Sequence, residues 1–129
     1  MKGQRFRRVA LALVSIVMFG GAAAAHHSQP GFDPNDKPIE LKGIVAEYRW
    51  RNPHVLFFWD VKDEHGNVVR WVCEFGSVVS SIARGMTKDT FKFGEEVTVT
   101  GVRAKAGTPV MQLRRVVKAD GAVVAGTAD

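Results

Sequence analysis

The chain has 129 residues, 46% of them hydrophobic and one of them cysteine, which fits one small domain and excludes an internal disulfide framework. Its formal net charge is +5 at pH 7, but the first 25 residues hold four of the 18 basic residues and none of the 13 acidic ones. The remaining 104 residues have 14 basic and 13 acidic side chains, and this net charge of +1 argues against a nucleic-acid-binding surface.

The first 25 residues have the organisation of a secretory signal peptide. Four basic residues precede an apolar run over residues 9–19, and small residues follow it. Ala23 and Ala25 occupy the positions of an A-x-A cleavage signal, so we expect residues 1–25 to be removed on export to the periplasm or the medium. The apolar run is shorter than the ~20 residues that span a bilayer, so no membrane span is expected after cleavage. The alternative is an uncleaved membrane anchor.

Two histidines, His26 and His27, follow directly after this signal. Cleavage after Ala23, Ala24 or Ala25 would bring a free α-amino group and imidazole nitrogens together at the start of the mature chain. Cu(II) and Ni(II) prefer such nitrogen-rich ligand sets. We therefore predict that the mature N-terminus binds Cu(II). The alternative is a solvated histidine pair with no ligand.

Residues 26–38 are polar and contain three prolines and a glycine, which predicts an irregular N-terminal arm. Alternating apolar residues then predict a β-domain over residues 39–124, with Gly43 at a bend or bulge of the first strand. Residues 125–129 are expected to fray. The predicted strands are 39–50, 55–61, 68–75, 96–104 and 110–118, and residues 123–124 form an optional short strand after the last turn.

The second and third strands are predicted to form a hairpin with a definite register. The loop at residues 63–67 has Gly66 where a residue in the left-handed conformation is needed. A loop of this length pairs residues of the two strands that lie at equal distances from its centre. Asp60 then faces Arg70, and this charge match supports the register independently. The inner-face pairs are Trp59–Trp71, Phe57–Cys73 and Val55–Phe75, and the outer-face pairs also include Phe58–Val72 and Leu56–Glu74. In this register Cys73 is buried as a small hydrophobic residue, and a reactive thiol is the alternative.

Residues 77–85 predict a short helix that begins after Ser77 as N-cap and ends at Gly85. Its apolar side consists of Val78, Val79 and Ile82. Three strands, one helix and two strands follow the order of an OB-fold, although other small β-barrels share this strand count. We therefore predict a mainly β protein, a small five-stranded OB-like Greek-key barrel with one short helix between strands three and four.

His54, in the turn that precedes the second strand, is a candidate ligand-binding residue. The predicted register makes it a diagonal neighbour of Glu74 on the outer face, at about 7–8 Å between backbones. An imidazole and a carboxylate at that spacing can hydrogen-bond, share a proton or ligate a metal. The alternative is a structural role for His54 in shaping the turn.

The outer face of strands two and three combines apolar and charged side chains. Phe58, Arg70 and Glu74 are its candidate ligand-contacting residues, with Leu56 and Val72 beside them. In an OB-fold this face binds the ligand. Alternatively, the N-terminal arm covers the face, with Phe32 as a plug.

With these motifs assembled, the chain resembles a family of small exported bacterial proteins that is described only as a domain of unknown function. The family frequently has proline at the position of Val78 and tryptophan at the position of Met86, so the resemblance does not support a binding role for that loop. The resemblance implies an OB-like fold and no defined activity. The matching pieces are His26-His27-Ser28, Lys42-Gly43, Trp50-Arg51-Asn52-Pro53-His54, Asp60-Val61-Lys62-Asp63, Trp71, Glu74-Phe75-Gly76-Ser77, Arg84-Gly85, Gly94-Glu95-Glu96-Val97-Thr98-Val99 and Gly101.

These observations favour an exported, non-enzymatic binding protein for a small ligand or a transition metal, with Cu(II) at His26, His27 and His54 as the candidate. The first alternative is an envelope interaction or stress protein that docks a protein partner on strands two and three. A nucleic-acid-binding OB module is weakened by export and by the nearly neutral mature charge. A copper oxidoreductase would need a shaped site around the metal, and the sequence has no such shell, nucleophile–base set, phosphate loop or Cys-rich metal site. No catalytic residue is predicted.

Overall fold

The computed structural model describes residues 31–126, which form one six-stranded antiparallel sheet and one short helix. The elements are β1 (Ile39–Arg49), β2 (Val55–Lys62), β3 (Val68–Gly76), α1 (Val78–Ala83), β4 (Glu96–Arg103), β5 (Met111–Lys118) and β6 (Val123–Gly126). The strand order across the sheet is β3-β2-β1-β4-β5-β6. The predicted mainly β class and the helix between strands three and four are confirmed. The strand number is corrected from five to six, because the optional strand at residues 123–124 is part of β6, which pairs with β5. The sheet is not a closed barrel.

The first strand, β1, joins the two halves of the sheet. Residues 39–44 pair with β4 and residues 44–49 pair with β2. A Cβ added to Gly43 would lie 2.4 Å from the carbonyl oxygen of Asp60 on β2, so this glycine allows a close approach of the two backbones. The register shift of β1 against β2 lies between Val45 and Glu47, and not at Gly43 where the sequence predicts it.

The β2–β3 hairpin has the predicted register over most of its length. Cα partners run from Leu56–Glu74 through Trp59–Trp71 to Asp60–Arg70. The predicted Val55–Phe75 pair is wrong, because an irregularity after Val55 places it opposite Gly76. In the loop, Gly66 has φ of +83°, and a carboxylate oxygen of Asp63 accepts hydrogen bonds from the amides of residues 65 and 67. The predicted loop chemistry therefore sets the register.

The hydrophobic core lies on the inner face of the hairpin. Phe57 is fully buried, with its ring centroid 4.4 Å from that of Phe91 and 5.6 Å from that of Trp59. Cys73 is buried among these aromatic residues, and burial raises the pKa of its thiol well above the ordinary value. A thiol held in its protonated form is a poor nucleophile, so the structure supports the prediction of a buried, inert cysteine.

The helix α1 has the predicted caps but a different buried side. The Ser77 hydroxyl accepts a hydrogen bond from the amide of Ser80 at 3.1 Å. Val79 and Ile82 are 73% and 58% exposed, and Ser81 is the fully buried residue of the helix. The predicted apolar side is therefore wrong for Val79 and Ile82, because this short helix packs on the end of β3 through Ser81. Within residues 31–126, no helix has the length and hydropathy needed to cross a bilayer.

Candidate functional site

A cavity of about 570 Å³ lies against the outer face of β2 and β3. Small-molecule sites in proteins usually enclose ~300–1,000 Å³ behind mainly apolar walls, with a few polar groups that orient the ligand. Of the predicted ligand-face residues, Phe58 and Glu74 line this cavity, and Arg70 does not. The full lining consists of Phe32, Leu56, Phe58, Val72, Cys73, Glu74, Arg84, Val110, Met111, Gln112 and Leu113.

The cavity lies where β3 meets the start of β5. Val72 and Val110 make an isolated parallel bridge, and the amide of Val72 donates to the carbonyl oxygen of Pro109 at 3.1 Å. Beyond this bridge, the two strands share no further ladder pairing in the part of the chain that the structure describes. The next residues on both strands, 73–74 and 111–113, line the cavity. The cavity therefore lies beside the bridge that joins the two strands.

The N-terminal arm contributes Phe32 to the cavity wall. The carbonyl oxygen of Gly31 accepts a hydrogen bond from the amide of Lys105 at 2.8 Å, and the Lys105 ammonium lies 3.6 Å from the Asp33 carboxylate. These contacts fix the arm on the link between β4 and β5. The structure places Phe32 in the cavity wall, and its role as a plug stays a prediction.

Glu74 is an acidic group of the cavity, and it is paired with His54. The Nδ1 atom of His54 contacts the Glu74 carboxylate, as expected for diagonal neighbours on adjacent strands. The two side chains are 54% and 39% exposed, so solvent screens the pair and it contributes little to folding stability. His54 does not line the cavity itself and reaches it through Glu74.

Arg84 is a cavity residue that the sequence reasoning does not identify. Its guanidinium donates to two backbone carbonyls, that of Ser80 at 3.2 Å and that of Phe75. It makes no ion pair with a carboxylate of residues 31–126. The four-residue spacing from Ser80 is the sequence signal that places its side chain over the helix, but the position of the cavity depends on strands distant in sequence.

Arg70, the third predicted ligand-face residue, is held by its cross-strand partner. Its guanidinium makes two parallel hydrogen bonds of 2.8 Å to the Asp60 carboxylate. The Arg70 guanidinium also holds the pKa of that carboxyl below its usual value. Arg70 therefore stabilises the hairpin register. The structure places it outside the cavity, and a role for it in ligand contact stays a prediction.

The predicted copper ligands His26 and His27 lie outside the described residues. Within residues 31–126, no three His, Cys, Asp or Glu side chains are grouped to hold a metal ion. His54 and Glu74 together provide two of the ligand atoms that a metal site needs. A metal at this pair would require further ligands from elsewhere.

Comparison with known proteins identifies a family for the chain. A search of curated proteins finds no match. The family model described as a family of unknown function, DUF6152, matches residues 12–112. This match extends over most of the chain and includes β1 to β4 and the start of β5. The predicted resemblance to an uncharacterised family is therefore confirmed, and the chain belongs to the family DUF6152.

Proposed function

We propose that this protein is an exported, non-enzymatic binding protein that holds a small ligand on the outer face of β2 and β3. The observation that carries the proposal is the cavity of about 570 Å³ there, with an apolar lining and few polar groups. The signal-like leader supports export. No catalytic residue is assigned to the cavity.

We further propose that the fold is an OB-like, partly open Greek-key barrel. The strand order β3-β2-β1-β4-β5, together with the Val72–Val110 bridge between its two ends, supports this interpretation. OB-folds bind ligands on strands two and three, between the loops that follow strands one and four. Here the cavity is on β2 and β3, Val110 comes from the link after β4, and His54 comes from the link after β1.

Filling the cavity is expected to abolish ligand uptake. The neutral fluorescent probe Nile red should bind the mature protein saturably, and Leu56→Trp should weaken that binding at least about tenfold, because the indole occupies the apolar floor. The matched control is Val68→Trp, which adds the same side chain at an exposed position of β3. Circular dichroism checks that both variants are folded. Equal binding by the wild type and Leu56→Trp, or no saturable binding at all, would contradict the proposal.

A second candidate function, Cu(II) binding by the mature N-terminus, is favoured by the path of the arm. Phe32 lines the same cavity as Glu74, and Glu74 is paired with His54. The five residues from Phe32 back to His27 can extend at most ~18 Å. This reach supports a site that combines the N-terminal amine and imidazoles with His54.

Copper titration of a mature protein that begins at His26 tests this candidate. We expect one Cu(II) to bind more tightly than Zn(II), and His54→Ala to weaken Cu(II) binding about 10–100-fold, because it removes an imidazole from the ligand set. His65→Ala, at the exposed tip of the hairpin, is the matched control and should have no effect. Affinity should fall as pH decreases through the amine range near ~8 and the imidazole range near ~6.5, because protons compete for the ligand nitrogens.

The comparison of the two histidine variants decides how the copper ion is held. If His54→Ala and His65→Ala bind Cu(II) equally well, the N-terminal amine and imidazoles hold the metal without His54, and a copper site that includes His54 is contradicted. Copper that binds equally to a protein with both His26 and His27 changed to alanine would contradict the candidate function itself.

A further inference from the structure

We infer that the cavity binds a free amphiphile with one anionic head and an unbranched aliphatic body, that is, a medium-chain carboxylate, with its head at Arg84. This inference rests on the proposed function and names its ligand class. The cavity combines a cationic group that has no carboxylate partner in residues 31–126 with an apolar lining, and a monoanionic amphiphile complements both features.

Arg84 supplies the positive charge of the cavity lining. Two backbone carbonyls, those of Phe75 and Ser80, hold its guanidinium in position at the cavity. A guanidinium has five N–H donors in a planar fork, so donors remain for a ligand after these two bonds. A carboxylate matches that fork with two parallel hydrogen bonds. These two bonds orient the guanidinium before a ligand binds, which reduces the side-chain freedom lost on binding.

One other charged group, the Glu74 carboxylate, lines the cavity. The Glu74 carboxylate is paired with His54, and Arg49, whose guanidinium lies 5.0 Å from the centroid of the Phe58 ring, is paired with Glu47. One unpaired cation beside one carboxylate favours a ligand head with a single negative charge. A dianionic phosphate would be repelled by Glu74 more strongly than a carboxylate.

The remaining lining determines the body of the ligand. The apolar lining includes Leu56, Phe58 and Val72 from β2 and β3, and Val110 and Leu113 from the start of β5 and the residue before it. Aliphatic and aromatic surfaces without further unpaired charges match a hydrocarbon chain. Burial of each additional methylene strengthens binding about fourfold, as expected from transfer out of water.

A ligand series on the mature protein tests the head and the body separately. Displacement of Nile red should show decanoate binding at least about tenfold more tightly than decanol, because charge-assisted hydrogen bonds to Arg84 are lost in the alcohol. Decyltrimethylammonium should bind more weakly than decanol. Octanoate should bind roughly 15-fold more weakly than decanoate, because two methylenes are absent.

Arg84→Gln should remove the preference for decanoate over decanol while leaving the affinity for decanol within about twofold, since the alcohol does not use the charge. Glutamine retains an amide donor for the backbone carbonyls. Arg115→Gln on the exposed part of β5 removes the same charge away from the cavity and should keep the wild-type preference. If Arg84→Gln does not fold, the series on the wild type decides alone.

The outcomes separate this inference from the proposed function. If the wild type binds decanol as tightly as decanoate, if Arg84→Gln keeps the wild-type preference, or if Arg115→Gln loses the preference as completely as Arg84→Gln, the assignment of the head to Arg84 is overturned and the cavity remains a ligand site. If neither Nile red nor any member of the series binds saturably, both the inference and the proposed function are overturned.

Discussion

Replacing Phe57 by alanine is expected to lower the free energy of unfolding by about 3–5 kcal/mol. The Phe57 side chain is fully buried and contacts aromatic rings on three other segments of the core. Removing the ring takes away its transfer free energy and leaves a cavity that the surrounding sheet can only partly fill. Small domains are stable by only about 5–15 kcal/mol, so this single change should remove a large part of the total.

The matched control for this variant is Phe93→Ala, which deletes the same side chain from a position that is 85% exposed. Its effect on the free energy of unfolding should stay within about 0.5 kcal/mol, because the ring buries little surface. Urea unfolding followed by tryptophan fluorescence measures both variants. A Phe57→Ala loss below about 1 kcal/mol, or equal losses for the two variants, would show that the core is not built around Phe57.

The hairpin is the most predictable part of the fold, because its determinants are local in sequence. The five residues from Asp63 to Asn67 specify the turn, and Asp60 and Arg70 lie directly opposite each other when that turn forms. A slip of one residue would move every apolar side chain to the other face. The same register is sufficient to predict that His54 lies beside Glu74, where the two side chains make their contact.

The cavity is less predictable, because it depends on strands that are distant in sequence. The hairpin register places Leu56, Phe58 and Glu74 on one face, but the rest of the lining comes from segments such as the start of β5, which meets β3 at the Val72–Val110 bridge. No local pattern specifies that meeting. Arg84 cannot be predicted as a cavity residue from local sequence, because only the fold brings the end of the helix to the cavity.

Arg70 and α1 are two further features for which the local sequence pattern is not sufficient. A charged residue on a predicted ligand face suggests binding, although the cross-strand pair with Asp60 already gives Arg70 a structural partner. The helix periodicity identifies Val79 and Ile82 as an apolar side, but a six-residue helix has too little contact surface for periodicity alone to decide its buried side. Packing on the end of β3 selects Ser81 instead.

The change of pairing partner along β1, from β4 to β2, leads to a second large expected effect. Gly43→Ala should lower the free energy of unfolding by about 3 kcal/mol, at the upper end of the range for overpacked sites. The added Cβ would lie 2.4 Å from the carbonyl oxygen of Asp60 and 2.9 Å from a ring carbon of Trp59. A backbone carbonyl within a ladder cannot move away as a flexible side chain can, so the strands must separate.

The loop glycine Gly66 provides the control for this change, because its requirement is conformational and not steric. A Cβ there meets nothing within 4 Å, and Gly66→Asn should cost less than about 1 kcal/mol, since asparagine tolerates positive φ. Urea unfolding compares the two variants. Because β2 carries Leu56 and Phe58 into the cavity, the separation of β1 from β2 should also weaken the uptake of Nile red by Gly43→Ala, while Gly66→Asn should bind it normally. A Gly43→Ala protein as stable as Gly66→Asn would contradict the close approach of β1 to β2 at this point, and with it the strand arrangement that positions the outer face of β2 and β3.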